Sequence, residues 1–339
     1  MSDIAGFASI TPSTENYFRS VVLFGRNVAS YKFALAKSLI ELASADRDVV
    51  PLTDLAVPFA RELCSHLRHA PTQATSASSR FLDTCRQFND GVLDQDELVD
   101  ATSRRGFVNV IDAFHIVGPG EIPVRFFTDE RRARTPSIAI TNAMRDLVTD
   151  SGADIGAETD ARWRLVETAW ELGTTRATIE FDNSTGLLIA PTRRRSITGA
   201  RGALNGYQKG RCFYCYRPIG IAKGIADLAD VDHVFPHVLQ RLGVLANLDG
   251  VWNLVLACAT CNRGPAGKFD ATPATPYVER LHRRNQYLIA SHHPLRETLM
   301  LQTGLTESAQ RQFLQHVLDT ARSTQVATWS TPPVGDPSF

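Results

Sequence analysis

Two cysteine pairs carry the clearest chemical signal in the chain: Cys212 with Cys215 in CFYC, and Cys258 with Cys261 in CATC. Each C-x-x-C turn can present two thiolates to one point, and two such turns supply the four ligands of a tetrahedral zinc. Four unrelated core cysteines are the alternative. Between the pairs stands DVDHVFPHVLQRLG, with Asp232 and His233 adjacent at the end of a strand-like stretch, 228–231. A neutral imidazole is a suitable general base because its pKa lies near the working pH, while carboxylate and amide oxygens suit a hard cation such as Mg²⁺. Asn253 precedes the apolar run LVLA, and Asn262 follows the last cysteine. Taken singly, an Asp-His pair is usually a surface or capping pair and an Asn a turn residue. The four-thiol frame is what gives them weight.

In chain order, CFYC, DVDHVFP, WNLVLAC and CNRGPAGK resemble the HNH endonucleases of the ββα-metal class, in the version that carries a four-cysteine structural zinc. The resemblance spans residues 209–270, a minority of the chain. It implies a ββα unit whose second strand is the LVLA run, stapled by zinc on Cys212, Cys215, Cys258 and Cys261. It implies His233 as general base, with Asp232 and Asn262 as ligands of a catalytic Mg²⁺ or Mn²⁺ acting as Lewis acid on the phosphate. Asn253 would hydrogen-bond the loop between the strands and hold the His ring. Many members carry His where this chain has Asn262, and a carbonyl oxygen there favours Mg²⁺ or Mn²⁺ over softer metals. Arg263 and Lys268, flanking the expected helix start, are candidate phosphate contacts. His237 is expected on the loop, with a substrate contact as the alternative, and the adjacent His292 and His293 are expected to pack or cap a helix rather than form a second metal site.

These residues need positioning elements. From Ala177 the texture turns strand-like: ATIEFDNSTGLLIAPT reads as a hairpin around Asp182 to Gly186, followed in TRRRSITGARGALNGYQKGR by a helix that carries Arg201 after a basic run. Beyond Asp270 the pattern is helical again. The first half is mainly helical. NVASYKFALAKSLIELA places Val28, Tyr31, Leu35, Leu39 and Leu42 on one face. Thr53 can cap a helix through DLAVPFARELCSHL, with Pro58 in its first turns or kinking it. APTQATSASSR reads as a loop, further helices are expected over 80–90, 106–116, 138–149 and 160–172, and EIPVRFF reads as a strand. Cys64 and Cys85 are expected in the core.

The expected class is therefore mainly α with a small α+β part. A helical N-terminal domain over 1–175, for regulation or interaction, precedes a nuclease domain with zinc knuckles and C-terminal helices over 176–325. The proline-rich tail, 326–339, is expected to be disordered. At 43% hydrophobic and 21% charged residues, with no apolar run of membrane-spanning length, the composition is that of a soluble globular protein. MSDIAGFASITPSTENYF lacks the basic and apolar regions of a secretory signal, which points to the cytoplasm, where thiols serve as metal ligands more often than as disulfides.

The formal charge of zero hides a division. Residues 1–190 carry 19 basic and 26 acidic side chains, whereas 191–290 carry 14 and 6. A basic segment inside a neutral chain suggests a local polyanion site. The expected activity is hydrolysis of DNA phosphodiester bonds, as the effector of a bacterial restriction or defence system. The N-terminal part would gate it, bind a protein partner or self-associate. Two other readings stand beside it: a zinc-stapled nucleic-acid-binding module that does not cut, and an interaction platform with the nuclease as its effector.

Overall fold

The computed structural model describes residues 12–24, 29–45, 47–74, 79–117, 120–172, 179–190, 195–222, 224–244, 246–290, 293–324 and 327–339. The architecture is mainly helical with several small sheets. Two compact units divide it, Ile4–Glu171 and Leu172–Phe339. Among the described residues no helix is long and apolar enough to cross a membrane.

The first unit contains α1 (Thr14–Phe24), α2 (Tyr31–Ser44), β1 (Val49–Pro51), α3 (Leu52–His69), α4 (Arg80–Asn89), α5 (Gln95–Arg105), the single turn α6 (Val110–Ala113), the two-residue strands β2 (Ile116–Val117) and β3 (Gly120–Glu121), β4 (Phe127–Glu130), β5 (Ser137–Ile140) and α7 (Asn142–Leu172). Phe18, Phe33, Phe59, Phe114, Phe126 and Trp163 fill its core, and Cys64 and Cys85 are buried there as free thiols. Full burial of one such ring stabilises by roughly 1.5–3 kcal/mol, which is why short helices hold together here.

Several elements differ from the sequence reading, each for a local reason. Pro51, not Thr53, is the N-cap of α3, and the Leu52 N–H donates to the Pro136 carbonyl at 2.9 Å instead of to a side chain. Pro58 lies buried within α3. The stretch 106–116, expected as a helix, holds only the single turn α6 and the start of β2, while helix α5 precedes it, started by a reciprocal capping box between Asp94 and Glu97. Residues 137–140 form a strand, not a helix, because SIAI pairs with both β1 and β4 in a sheet of order β1-β5-β4. Beyond it α7 runs unbroken to Leu172 rather than as two helices.

The second unit opens with an antiparallel sheet of β6 (Glu180–Asp182), β7 (Leu187–Ala190) and β8 (Arg195–Gly199), and α8 (Ala200–Gln208) is the expected helix that carries Arg201. Gly186, at φ +70°, makes the β6–β7 turn. Then come β9 (Asp230–His233), the single turn α9 (Val238–Arg241), a 3₁₀ turn at Val251–Asn253, β10 (Leu254–Ala257) and α10 (Ala259–Arg263). Strands β9 and β10 pair antiparallel, with His233 opposite Leu254 and Asp232 opposite Val255. The remainder is β11 (Thr272–Pro273), α11 (Thr275–Ala290), α12 (Arg296–Thr303), α13 (Glu307–Ser323) and β12 (Thr328–Trp329). His293 is buried and its Nδ1 accepts the Leu295 N–H at 3.1 Å where α12 begins; His292 lies outside the described residues.

The C-terminal segment corrects an expectation. Residues 327–339 are docked, not disordered. β12 pairs in parallel with β11, Trp329 Nε1 donates to the Ala266 carbonyl at 2.8 Å, and Phe339 packs on Tyr207, Phe213 and Tyr216. Aromatic side chains at both ends of the segment outweigh its prolines.

Candidate functional site

The four cysteines converge. Helix α8 ends in two successive left-handed residues, Lys209 at φ +53° and Gly210 at φ +70°, which turn the chain into the first pair. The Cys212 N–H donates to the Arg217 carbonyl at 2.8 Å and the Tyr216 N–H to the Cys212 carbonyl at 3.0 Å, closing a tight knuckle. Cys258 sits at the N-cap of α10, and its N–H points at Cys212 Sγ, 3.3 Å away. All four sulfurs are buried, none is in a disulfide, and they lie within 4.8 Å of one another. A zinc with sulfurs at ~2.3 Å has tetrahedral edges of about 3.8 Å; Cys215 Sγ and Cys258 Sγ are 3.8 Å apart. The Cys212 thiol, donating to Cys215, pulls the latter's pKa down to about 6. The donor set fits a zinc-like ion.

Strand alternation separates the adjacent Asp232 and His233 onto opposite faces. Asp232 faces inward. Its Oδ2 accepts the Tyr214 hydroxyl at 2.5 Å, and its Oδ1 lies 3.3 Å from Lys268 Nζ. Burial pushes the Asp232 carboxyl up, with Lys268 and Tyr214 pulling against it. Burial and the Asp232 charge also push the Tyr214 hydroxyl well above its ordinary range, so it remains a donor. Lys268, expected as a phosphate contact, is instead buried: its ammonium also donates to the carbonyls of His233, at 2.9 Å, and Phe269, at 3.2 Å. Asn262 turns to Asp230, its Nδ2 donating to Oδ2 at 3.2 Å. Arg263 ends α10 rather than starting it; its guanidinium is exposed and paired to Asp230 at 2.8 Å. Asp232 is thus held by Tyr214 and Lys268, and Asn262 through its amide nitrogen by Asp230.

His233 faces a half-buried pocket. Its Nε2 is 3.1 Å from Asp249 Oδ1 and 3.1 Å from His237 Nε2. His237 Nε2 is itself 2.8 Å from the same Asp249 oxygen. Asn183, in the β6–β7 turn, closes the pocket, its Nδ2 donating to Asp249 Oδ1 at 2.7 Å and lying 3.1 Å from His237 Nε2. The Phe181 ring packs 5.8 Å from the His233 ring. Burial would raise the Asp249 carboxyl, but hydrogen bonds from His233 and Asn183, with the two imidazoles, hold it below its usual range.

The loop beneath the pocket is held by Asn253, which is fully buried. Its Oδ1 accepts the Phe235 N–H at 2.8 Å, while its Nδ2 donates to the Phe235 and Leu248 carbonyls at 2.9 Å. Arg284 of α11 caps the 3₁₀ turn, donating to the carbonyls of Val251, Trp252 and Leu254. Burial lowers its pKa to about 10, which leaves it a cation. The pocket's other members, Asp249 and Asn183, were not legible as site residues, and His237 was read as a loop residue. Only the i, i+4 spacing of His233 and His237 hinted at a pair.

Comparison of the chain with protein-family models, with curated proteins and with solved structures found no match.

Proposed function

We propose that the chain is an HNH-type endonuclease that hydrolyses DNA phosphodiester bonds, with His233 as general base and a structural zinc on the four cysteines. One observation carries the reading: a β9–β10–α10 unit closed by four convergent thiols, with His233 at the strand end facing a carboxylate in an open pocket. In this reading His233 takes a proton from the attacking water. Asp249 stabilises the imidazolium that results, the role a carboxylate plays beside a catalytic His. Asn253 keeps the histidine loop in place. Asp232 and Asn262 would be the oxygen donors to a catalytic Mg²⁺ or Mn²⁺.

Support for a nucleic acid comes from charge. The second unit carries 18 basic against 12 acidic side chains, the first 18 against 23. The first unit would then gate the nuclease or bind a partner in the cytoplasm, as in a bacterial restriction or defence system. The second reading, a zinc-stapled module that binds without cutting, rests on the same thiol frame.

Plasmid DNA and a structured RNA, each incubated with the purified full chain with and without Mg²⁺ or Mn²⁺, separate the two readings. Cleavage by the wild type should fall by roughly 10²–10⁴-fold in His233→Ala, with the zinc on the four cysteines retained. Binding without cleavage under every condition, or a His233→Ala variant that cuts at the wild-type rate, would reject the enzyme.

A further inference from the structure

We infer that His233, His237 and Asp249 form a second metal site, one that takes a borderline divalent ion such as Zn²⁺ rather than Mg²⁺. His233 Nε2, His237 Nε2 and Asp249 Oδ1 make a nearly equilateral triangle with edges of 3.1, 3.1 and 2.8 Å. Protons alone do not satisfy it. If both Nε2 atoms carry hydrogen, two N–H groups face each other across the His–His edge. If only one does, the other nitrogen turns its lone pair on the carboxylate oxygen. Every assignment leaves one edge with like poles opposed, whereas a cation above the triangle satisfies all three atoms at once.

The dimensions suit an ion. Zinc binds imidazole nitrogen and carboxylate oxygen at ~2.0–2.2 Å, for which one tetrahedral face has edges of about 3.3 Å. The corners reach such an ion when the 3.1 Å edges open by about 0.2 Å and the 2.8 Å edge by about 0.5 Å. Asn183 lies against two corners, and turned over it would present Oδ1 as a further oxygen donor. Two imidazoles with one carboxylate select Zn²⁺, Co²⁺ or Ni²⁺ over Mg²⁺, which prefers oxygen ligands. Side-chain exposures of 11% for His233, 37% for His237 and 29% for Asp249 leave the opposite face of the ion open to water or an incoming oxygen.

The site is distinct from the thiol cluster in residues and chemistry, and weaker, since it offers three ligands of mixed type against four thiolates. Its consequence rests on the nuclease reading above: an ion here occupies the lone pair of His233, so it and general-base catalysis exclude one another. The binding itself stands on the geometry.

The test is metal titration of the full chain after its thiol site has been filled with zinc, using Co²⁺ as probe. The wild type should take up one further equivalent, with weak visible bands of nitrogen and oxygen ligation and no thiolate charge-transfer band. His237→Ala and Asp249→Asn should each weaken this second equivalent by at least about 100-fold, more than loss of an outer partner costs, while the first zinc is retained. His237→Gln, at a part-exposed position, repeats the result should the alanine variant unfold. No second equivalent in the wild type, or equal affinity in the variants, would overturn the site. No nucleic acid enters the measurement, so failure of the nuclease reading leaves its outcome unaffected.

Discussion

Adjacent residues on a strand share a sequence position but not a site, and Asp232 with His233 shows the consequence. The pair reads as one catalytic unit, yet the pleat sends Asp232 to a buried contact with Tyr214 and Lys268 and His233 to the pocket. Lys268 has two readings with different costs. A surface lysine lost to methionine changes stability by no more than about 0.5 kcal/mol. Removing the partner of a buried carboxylate costs about 3–5 kcal/mol. Lys268→Met should therefore lower the urea-unfolding free energy by that larger amount at neutral pH. The pH sign follows from Asp232, whose carboxyl burial already pushes up and which would rise further without Lys268. A carboxyl with a native pKa above its unfolded value makes the native state the better proton binder. The deficit should thus be full above the native pKa and shrink as pH falls through it toward the unfolded value. A variant as stable as wild type at neutral pH would return Lys268 to the surface. The histidine pocket was illegible for a simpler reason: Asn183 and Asp249 meet from loops 66 residues apart, and no local pattern reports that.

Elements with strong local signals were read well, and those decided by pairing were not. The face of Leu35 and Leu39 gives α2, and the Asp182–Gly186 turn gives the β6–β7 hairpin. Ile138, Ala139 and Ile140 read as the start of a helix in the sequence because their strand partners lie far away along the chain. Composition alone makes the C-terminal segment look disordered. Val334 and Gly335 each donate an N–H to the Cys215 carbonyl, at 2.8 and 3.0 Å, so this segment braces the first cysteine knuckle from outside. Tyr277 completes the brace, exchanging hydrogen bonds of 2.9 Å with Thr331. A Cβ on Gly335 would collide with the Tyr216 carbonyl, whose carbon lies 3.0 Å away and belongs to rigid backbone. Gly335→Val should push the segment off the knuckle. Loss of two hydrogen bonds, each worth about 1 kcal/mol, corresponds to zinc release to a chelator faster by roughly ten- to thirtyfold. Release at the wild-type rate would show that the knuckle stands without its brace.

At the scale of the whole molecule, a charge count and a charged surface are different quantities. The second unit has 18 basic and 12 acidic side chains, but Lys209, Lys268 and Arg284 are buried, and so is Asp232. Setting these aside leaves fifteen basic and eleven acidic side chains, an excess of four. The buried cations serve the fold: Arg284 holds the 3₁₀ turn and Lys268 the strand end. The first unit has 18 basic against 23 acidic residues and repels a polyanion at close range. Each phosphate neutralised on duplex DNA contributes about −0.9 to the slope of log affinity against log salt. An excess of about four predicts a slope of about −3 to −4 for the full chain on labelled duplex, whereas the 14 against 6 of residues 191–290, read as surface, would predict about −7. Fluorescence titration across several salt concentrations measures it. The shallower slope would mean that the segment's arginines and lysines are divided between holding the fold and holding the nucleic acid. A slope near zero would remove DNA from the proposal, because a nuclease that grips no phosphate has no purchase on its substrate.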